Sequence, residues 1–256
     1  MRHKFRSIAA VAAVAALSLG GLSVAVSGSA TAQTLGHPKK HKPKPPPQVT
    51  GSRLRTALLP ASAFGDGFTG GDVISTGGRL LPTKAWYHVP SMSCSNFEDF
   101  VIIGGFGDTA GALADDVNSS PFGSYPNTVL YGIQWVNQFS TTQAATTFFN
   151  QAAAKYRSCS SFTEPNPGDT SPGGGTLQVT NMSVSKTAVS GNHAFTVAQQ
   201  SALSEAPGFS FYNNVLVVVS GTNVYQFWDL SGTNDEPSPT LMAQFIKQTQ
   251  KLYPHH

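Results

Sequence analysis

Cysteine, charge and recognisable catalytic motifs are all scarce in this 256-residue chain. It has two cysteines, and 11% of its residues are charged. No Cys-x-x-Cys or His-Glu-x-x-His spacing is present, so these common zinc-site patterns are excluded. Glycines 173–175 lack a following Lys-Ser/Thr and no Gly-x-Ser-x-Gly occurs, which removes the usual signatures of a phosphate loop and of a serine hydrolase. We therefore predict no metal and no cofactor.

The first 32 residues have the three parts of a secretory signal peptide. A basic start is followed by an apolar stretch over residues 8–26 and by the small residues Ala30-Thr31-Ala32. This order predicts cleavage after Ala32. A retained membrane anchor is the alternative, but Ser18 and a pair of glycines interrupt the apolar stretch. We expect a secreted protein, extracellular or associated with the cell envelope, with no transmembrane segment in the mature chain.

Export would place Cys94 and Cys159 in an oxidising compartment, where they have one possible intramolecular pairing. We predict a disulfide between them. Closing a loop of this length would be worth about 4 kcal/mol in the chain-entropy model. A free thiol nucleophile and half of a metal site remain as alternatives.

The net charge of +3 conceals an uneven distribution. Residues 33–52 carry four lysines among prolines, whereas residues 53–256 hold nine basic and all thirteen acidic residues, a net charge of −4. We predict that residues 33–52 form a disordered spacer, because this composition cannot bury a core. The spacer is either a cationic arm on an anionic envelope surface or a solvated tether. The acidic balance of residues 53–256 argues against a nucleic-acid surface.

One strand and one helix are predicted back to back in the middle of the chain. Residues Val129–Phe139 are rich in β-formers and largely alternate apolar with polar positions. Ser140 and Gln143 have the spacing of a capping box. Apolar residues then recur at steps of three and four as far as Cys159, which predicts an amphipathic helix. A disulfide from Cys159 would tie the end of this helix to the segment that precedes the strand.

Four further strand-like runs follow a loop predicted for residues 160–175. They cover residues 177–186, 194–203, 214–220 and 224–230. Turn residues at Gly191-Asn192 and Gly221-Thr222-Asn223 predict two hairpins, and apolar residues on both faces predict a covered central strand at 215–219. A last helix is predicted for residues 240–253. The predicted fold class is α+β, with a single antiparallel twisted sheet flanked by two main helices and stapled by one disulfide.

The junction of the strand and the helix carries the most distinctive residues. The phrase from Gln134 to Ala145, continued by Phe148 and by Tyr156-Arg157-Ser158-Cys159, resembles the PknH-like extracellular sensor domain of actinobacteria. Leu58-Leu59-Pro60 with Phe64-Gly65 resembles the start of that domain. The resemblance covers most of residues 54–253. It implies a single sheet flanked by helices and a cleft for an unidentified extracellular ligand. The kinase-attached members have two cysteine pairs, whereas this chain has one.

Aromatic residues on the predicted strands are the remaining indication of a site. Flat aromatic faces beside a few polar groups are typical of carbohydrate- and lipid-binding clefts. The predicted ligand cleft consists of Trp135, Gln134, Tyr225, Gln226, Trp228 and Asp229. At alternating positions of a strand, however, aromatic residues mostly belong to the core. That alternative stays open.

Catalysis has little support in the sequence. A hydrolase needs a nucleophile, a base and an orienting acid. Apart from the terminal His255-His256, residues 53–256 contain only His88 and His193 as candidate histidine bases, and neither lies in a recognised motif. We predict a non-catalytic, monomeric, sensor-like domain whose partner is an unknown small molecule or envelope component. A secreted hydrolase with an unrecognised active site and a structural surface protein are the alternatives.

Overall fold

A computed structural model describes residues 47–65, 67–76, 92–94, 97, 108–118, 129–165, 175–204, 210–231 and 234–253. Contacts divide the chain into residues 1–42 and 43–256, and all described residues lie in the second unit. The predicted signal peptide and most of the predicted spacer lie outside the described residues. Val49 is buried and helix α1 (Gly51–Arg55) follows it. The fold therefore includes a few residues before the predicted domain start at residue 53.

Among the described residues, a single antiparallel sheet of eight strands forms the centre of the fold. The strands are β1 (Phe68–Thr76), β2 (Asp108–Asn118), β3 (Val129–Phe139), β4 (Ser161–Pro165), β5 (Thr176–Val189), β6 (Asn192–Leu203), β7 (Ser210–Ser220) and β8 (Asn223–Ser231). Their order across the sheet is β1-β2-β3-β8-β7-β6-β5-β4. Strands β3 and β8 therefore pair in the middle of the sheet. The predicted single antiparallel sheet is confirmed.

The strands with strong local patterns agree with the prediction. Strand β3 has the predicted bounds, and β5–β6 and β7–β8 are the two predicted hairpins. Ser190 and Gly191 have positive φ values of 49° and 79°. The first turn therefore lies one residue before the predicted position, because a two-residue hairpin turn of this type needs left-handed residues. Residues 215–219 are buried, as predicted for a covered central strand.

Strands β1, β2 and β4 are not predicted by the sequence. Strands β1 and β2 contain glycine and aspartate, which are depleted in strands. Strand β4 ends at Pro165 and lies at an edge of the sheet, where proline is tolerated. The prediction of a loop was therefore wrong for residues 161–165. These strands form by pairing with a neighbour rather than from a strong pattern of their own.

Helix α2 (Thr142–Ser158) covers one face of the sheet. Its N-cap is Thr141, whose Oγ1 accepts a hydrogen bond from the backbone N–H of Ala144 at 3.1 Å, so the predicted cap at Ser140 was wrong by one residue. The helix buries one stripe, made of Ala145, Phe148, Phe149, Ala152, Ala153 and Tyr156. Phe148 stacks on Phe139 of β3, with ring centroids 5.3 Å apart. Each buried phenylalanine contributes roughly 2–3 kcal/mol.

A disulfide joins Cys94 to Cys159, as predicted, and their Cα atoms lie 5.6 Å apart. Cys159 is the C-cap residue of helix α2. Phe97, three residues after Cys94, is buried against Tyr156 with a centroid distance of 4.9 Å. The covalent bond and the ring contact together hold the segment around Cys94 against the last turn of helix α2.

Helix α3 (Pro239–Gln250) covers the opposite face. Ser238 caps it by accepting the backbone N–H of Leu241 at 3.3 Å, and Pro239 stands in the first turn, where its missing N–H has no intrahelical partner to lose. Phe245 stacks on Phe227 of β8 at 5.8 Å. Helices therefore flank both faces of the sheet. Within the described residues, no helix has the length and apolar character needed to cross a membrane.

Candidate functional site

The six residues of the predicted ligand cleft lie on β3 and β8. Because successive side chains of a strand point to opposite faces, the six divide into two groups of three. One group, on the face covered by helix α2, contains Trp135, Gln226 and Trp228. The other group, on the face covered by helices α1 and α3, contains Gln134, Tyr225 and Asp229. The structure does not bring all six into one cleft.

Gln134 and Tyr225 make contacts within the protein. The Nε2 of Gln134 donates to the carbonyl of Leu59 at 2.7 Å, and its Oε1 accepts the N–H of Leu59 at 2.8 Å. The Tyr225 ring packs edge-on against Phe245 at 5.4 Å, and its hydroxyl accepts a hydrogen bond from Nδ2 of Asn223 at 3.2 Å. Burial raises the pKa of Tyr225 above its usual range. Both polar groups are therefore engaged within the protein.

Trp135, Gln226 and Trp228 form a cluster that we term the tryptophan–glutamine row. Gln226 pairs with Trp135 on β3 and with Val217 on β7. Gln226 is 0% exposed, and neither Oε1 nor Nε2 has a hydrogen-bond partner among the described residues. The indole Nε1 atoms of Trp135 and Trp228 are also buried without a partner there. Burying an unpartnered amide costs roughly 1–3 kcal/mol. These unpartnered polar atoms therefore destabilise the middle of the sheet, where β8 lies between β3 and β7.

Two asparagines extend this polar surface on the same face. Asn137 follows Trp135 by two positions on β3, and its Nδ2 is buried with no partner in the described part of the chain. Asn213 on β7 donates from Nδ2 to Oγ of Ser201 at 3.1 Å, while its Oδ1 has no such partner. The unpartnered donors, two indoles and two amides, favour a ligand that is rich in hydrogen-bond acceptors.

A second group of unpartnered atoms lies on the opposite face. Asp229 pairs with Asn214 on β7 and with Gly132 on β3, so the three form one row across the sheet. Asn214 is 1% exposed, and neither its Oδ1, its Nδ2 nor the Oδ1 of Asp229 has a described partner. A Cβ at Gly132 would lie 3.6 Å from Cδ1 of Phe64, 3.7 Å from Oδ1 of Asp229 and 3.8 Å from Cε1 of Phe68. We term these five residues the aspartate pocket.

The carboxyl of Asp229 is poorly solvated. Burial raises the pKa of Asp229 from 3.8 to about 7, and this desolvation is the cause of the shift. The residue as a whole is only half-buried, as are Phe64 and Phe68. One side of the pocket is therefore open to solvent while Oδ1 is shielded from it.

Of the two candidate bases, only His193 is described, and it joins neither group. His193 is exposed at the start of β6, and His88 lies outside the described residues. Cys94 and Cys159 are both used by the disulfide. Across the described ranges, no group of three or more histidine, cysteine, aspartate or glutamate residues could hold a metal ion. The groups that the structure does gather are amides, indoles and one carboxyl, which are typical of ligand-binding surfaces.

No protein-family model and no curated protein matches the sequence. Among solved structures, the extracellular domain of PknH from Mycobacterium tuberculosis is similar over 82% of this chain and 97% of that one, with a TM-score of 0.52 and 16% sequence identity. The two proteins share a fold. The predicted PknH-like fold is therefore confirmed. At this identity the likeness shows the fold alone, so membership of the actinobacterial family stays a prediction.

Four residues of the aspartate pocket were missed by the sequence reasoning. Period-two alternation already places Asp229 on one face of its strand. The pairing that puts Asn214 and Gly132 beside it is set between separate segments of the chain, and no local pattern shows that register. Phe64 precedes strand β1 and Phe68 is its first residue, so both contact the pocket from the edge of the sheet. The one available signal was the polar Asn214 at the start of an apolar strand.

Proposed function

We propose that this chain is a secreted, non-catalytic, sensor-like domain that binds an uncharged, acceptor-rich small molecule at the tryptophan–glutamine row. The observation that carries the proposal is Gln226, a fully buried carboxamide with two unpartnered atoms among the described residues, beside two indoles in the same state. More than about nine-tenths of buried polar groups in proteins are hydrogen-bonded. A cluster of exceptions to this rule therefore supports a binding role for the row.

The chemistry of the row favours a ligand such as a carbohydrate or an acyl compound. Indole and amide N–H groups would donate to its hydroxyl or carbonyl oxygens, and Oε1 of Gln226 would accept from a hydroxyl. Trp228, which is only partly buried, would offer flat apolar surface for a sugar ring or a chain. The row itself contains no charged side chain, which favours a neutral ligand over an ion.

The proposed location is outside the cell. The signal-like residues 1–32, the disulfide, which is typical of oxidising compartments, and the fold shared with an extracellular domain all support this location. In this proposal residues 1–32 are removed, and a basic spacer precedes the sensor-like domain, whose fold begins near Val49. The partner is a small molecule or another envelope component, bound by a monomer.

Native mass spectrometry of the mature protein after exposure to an envelope extract tests the proposal. We expect the wild type to start after Ala32, to lack two hydrogens because of the disulfide, and to retain a neutral ligand. The variant Gln226→Leu should keep the disulfide and lose the ligand. Gln178→Leu, which changes an exposed glutamine on β5, should retain it. Equal retention by Gln226→Leu, or a wild type that carries no ligand from the extract, would contradict the proposal.

A further inference from the structure

The aspartate pocket lies on the face of the sheet opposite the tryptophan–glutamine row, so a ligand bound there would occupy a separate site from the one proposed above. We propose that this pocket binds an organic cation, an ammonium group carried on an apolar stem. Two unpartnered oxygens side by side, a wall of phenylalanine rings and a gap at Gly132 together define the site.

The two oxygens belong to Asn214 and Asp229, which are direct cross-strand neighbours. Side chains of such a pair leave the same face, with Cβ atoms roughly 5 Å apart. They do not hydrogen-bond to each other, although both are within the described residues. Asn214 is 1% exposed, so its Oδ1 has little contact with bulk solvent. An ammonium group has three N–H donors and can therefore satisfy both oxygens at once.

In the described part of the chain, no positive charge offsets the burial of the Asp229 carboxyl. Desolvation raises its pKa to about 7, and among the described residues no cationic side chain opposes that effect. The neighbours in its row, Gly132 and Asn214, do not titrate. Tyr212 pairs with Ser231, two residues further along β8, and Asp116 on β2 pairs with Gly132. A bound cation would supply the missing charge and stabilise the ionised carboxylate.

Aromatic rings form the wall beside this carboxylate. The ring of Phe64 lies 6.0 Å from that of Phe68 and 5.6 Å from that of Phe227. A cation near aromatic faces is attracted to them, and an aliphatic stem packs on the same rings. Because Gly132 has no side chain, a space about the size of a methyl group remains between Phe64 and Asp229. The ammonium head would lie at Asp229 and Asn214, with the stem along the phenylalanines.

Isothermal titration calorimetry of the mature protein at pH 8 tests the proposal with 1-pentylamine and, as its neutral match, 1-pentanol. We expect the amine to bind at least tenfold more tightly than the alcohol. Asp229→Asn should weaken amine binding at least tenfold. Asp235→Asn removes the same charge at an exposed position and should leave the affinity unchanged.

A second variant separates loss of the pocket from loss of folding. The Cβ of Gly132→Ala would meet its neighbours at ordinary contact distances, so this variant should melt near the wild-type temperature. Its affinity for the amine should nevertheless be several-fold lower, because the added methyl group occupies the site. The proposal is overturned if pentanol binds as well as pentylamine, if folded Asp229→Asn binds the amine like the wild type, or if the wild type gives no binding at millimolar amine.

Discussion

Val49 and Gln138 exchange two hydrogen bonds although they lie 89 positions apart in the sequence. The N–H of Val49 donates to Oε1 of Gln138 at 2.9 Å, and Nε2 of Gln138 donates to the carbonyl of Val49 at 3.0 Å. Gln134, four residues earlier on β3, makes the same pair of bonds with Leu59. The two carboxamides therefore hold the N-terminal segment as a neighbouring strand would. That segment leads to Phe64, so these bonds also position one wall of the aspartate pocket.

Replacing Gln134 by leucine should lower the free energy of unfolding by about 2–4 kcal/mol. The substitution keeps an apolar side chain of similar volume but leaves the N–H and the carbonyl of Leu59 without their partner, and each orphaned buried group costs roughly 1–3 kcal/mol. Urea denaturation followed by circular dichroism measures the change. Gln143→Leu, at an exposed position of helix α2, is the control and should shift stability by less than about 0.5 kcal/mol. Equal stabilities of the two variants would show that the Leu59 bonds contribute little.

Removing the disulfide should destabilise the domain by about 2–4 kcal/mol, because the unfolded chain regains the entropy of a long loop. The loop ends, Cys94 and Cys159, have a sequence separation of 65. The double variant Cys94→Ser with Cys159→Ser and the wild type in reductant should show the same lower denaturation midpoint. A double variant as stable as the oxidised wild type would exclude this role of the bond.

The parts of the fold that carry their own pattern could be predicted from the sequence. Strand β3 alternates, helix α2 has a regular apolar stripe, and the two hairpins have turn residues between β-rich runs. Strands β1 and β2 lack such a pattern, because glycine and aspartate disfavour a strand until a partner supplies the hydrogen bonds. Their place in the sheet follows from the pairing of β2 with β3.

The candidate site was only partly accessible to the same reasoning. Aromatic and amide residues on the predicted strands led to Trp135 and Gln226, which are direct partners. Alternation alone separates Gln226 from Asp229, which lie three positions apart on one strand. The sequence could not show which of them shares a face with Trp135, because that depends on which residues pair across the sheet. A shift of one residue in that register would reverse the faces. The unpartnered state of Gln226 is likewise a property of the packed structure.

Gln226→Leu should raise the free energy of unfolding by about 1–2 kcal/mol in the absence of ligand. Leucine fills a similar volume and removes two buried polar atoms that have no partner among the described residues. The comparison of wild type and variant by thermal and urea denaturation measures the gain. A variant less stable than the wild type would show that the amide is engaged by a group such as an ordered water, and the row would then lose its main support as a ligand site.

The raised pKa of Asp229 predicts that stability falls as the pH rises. In the unfolded chain the pKa of this carboxyl has its ordinary value of 3.8, and in the folded protein it is about 7. Between these values the folded state keeps a proton that the unfolded state has released. Its contribution to the free energy of unfolding is therefore fully present below pH 4 and is lost as the pH rises to about 7.

Asp229→Asn should remove this pH dependence, since asparagine stays neutral at every pH. The difference in stability between variant and wild type should grow from pH 5 to pH 8 in favour of the variant, by up to about 2 kcal/mol because solvent reaches part of the side chain. Denaturation curves of both proteins at the two pH values measure this difference in stability. The contributions of the other carboxyls cancel in the difference because both proteins contain them. A difference that is the same at pH 5 and pH 8 would mean that Asp229 ionises in the folded protein as it does in water, and that its carboxyl is hydrated despite the phenylalanines around it.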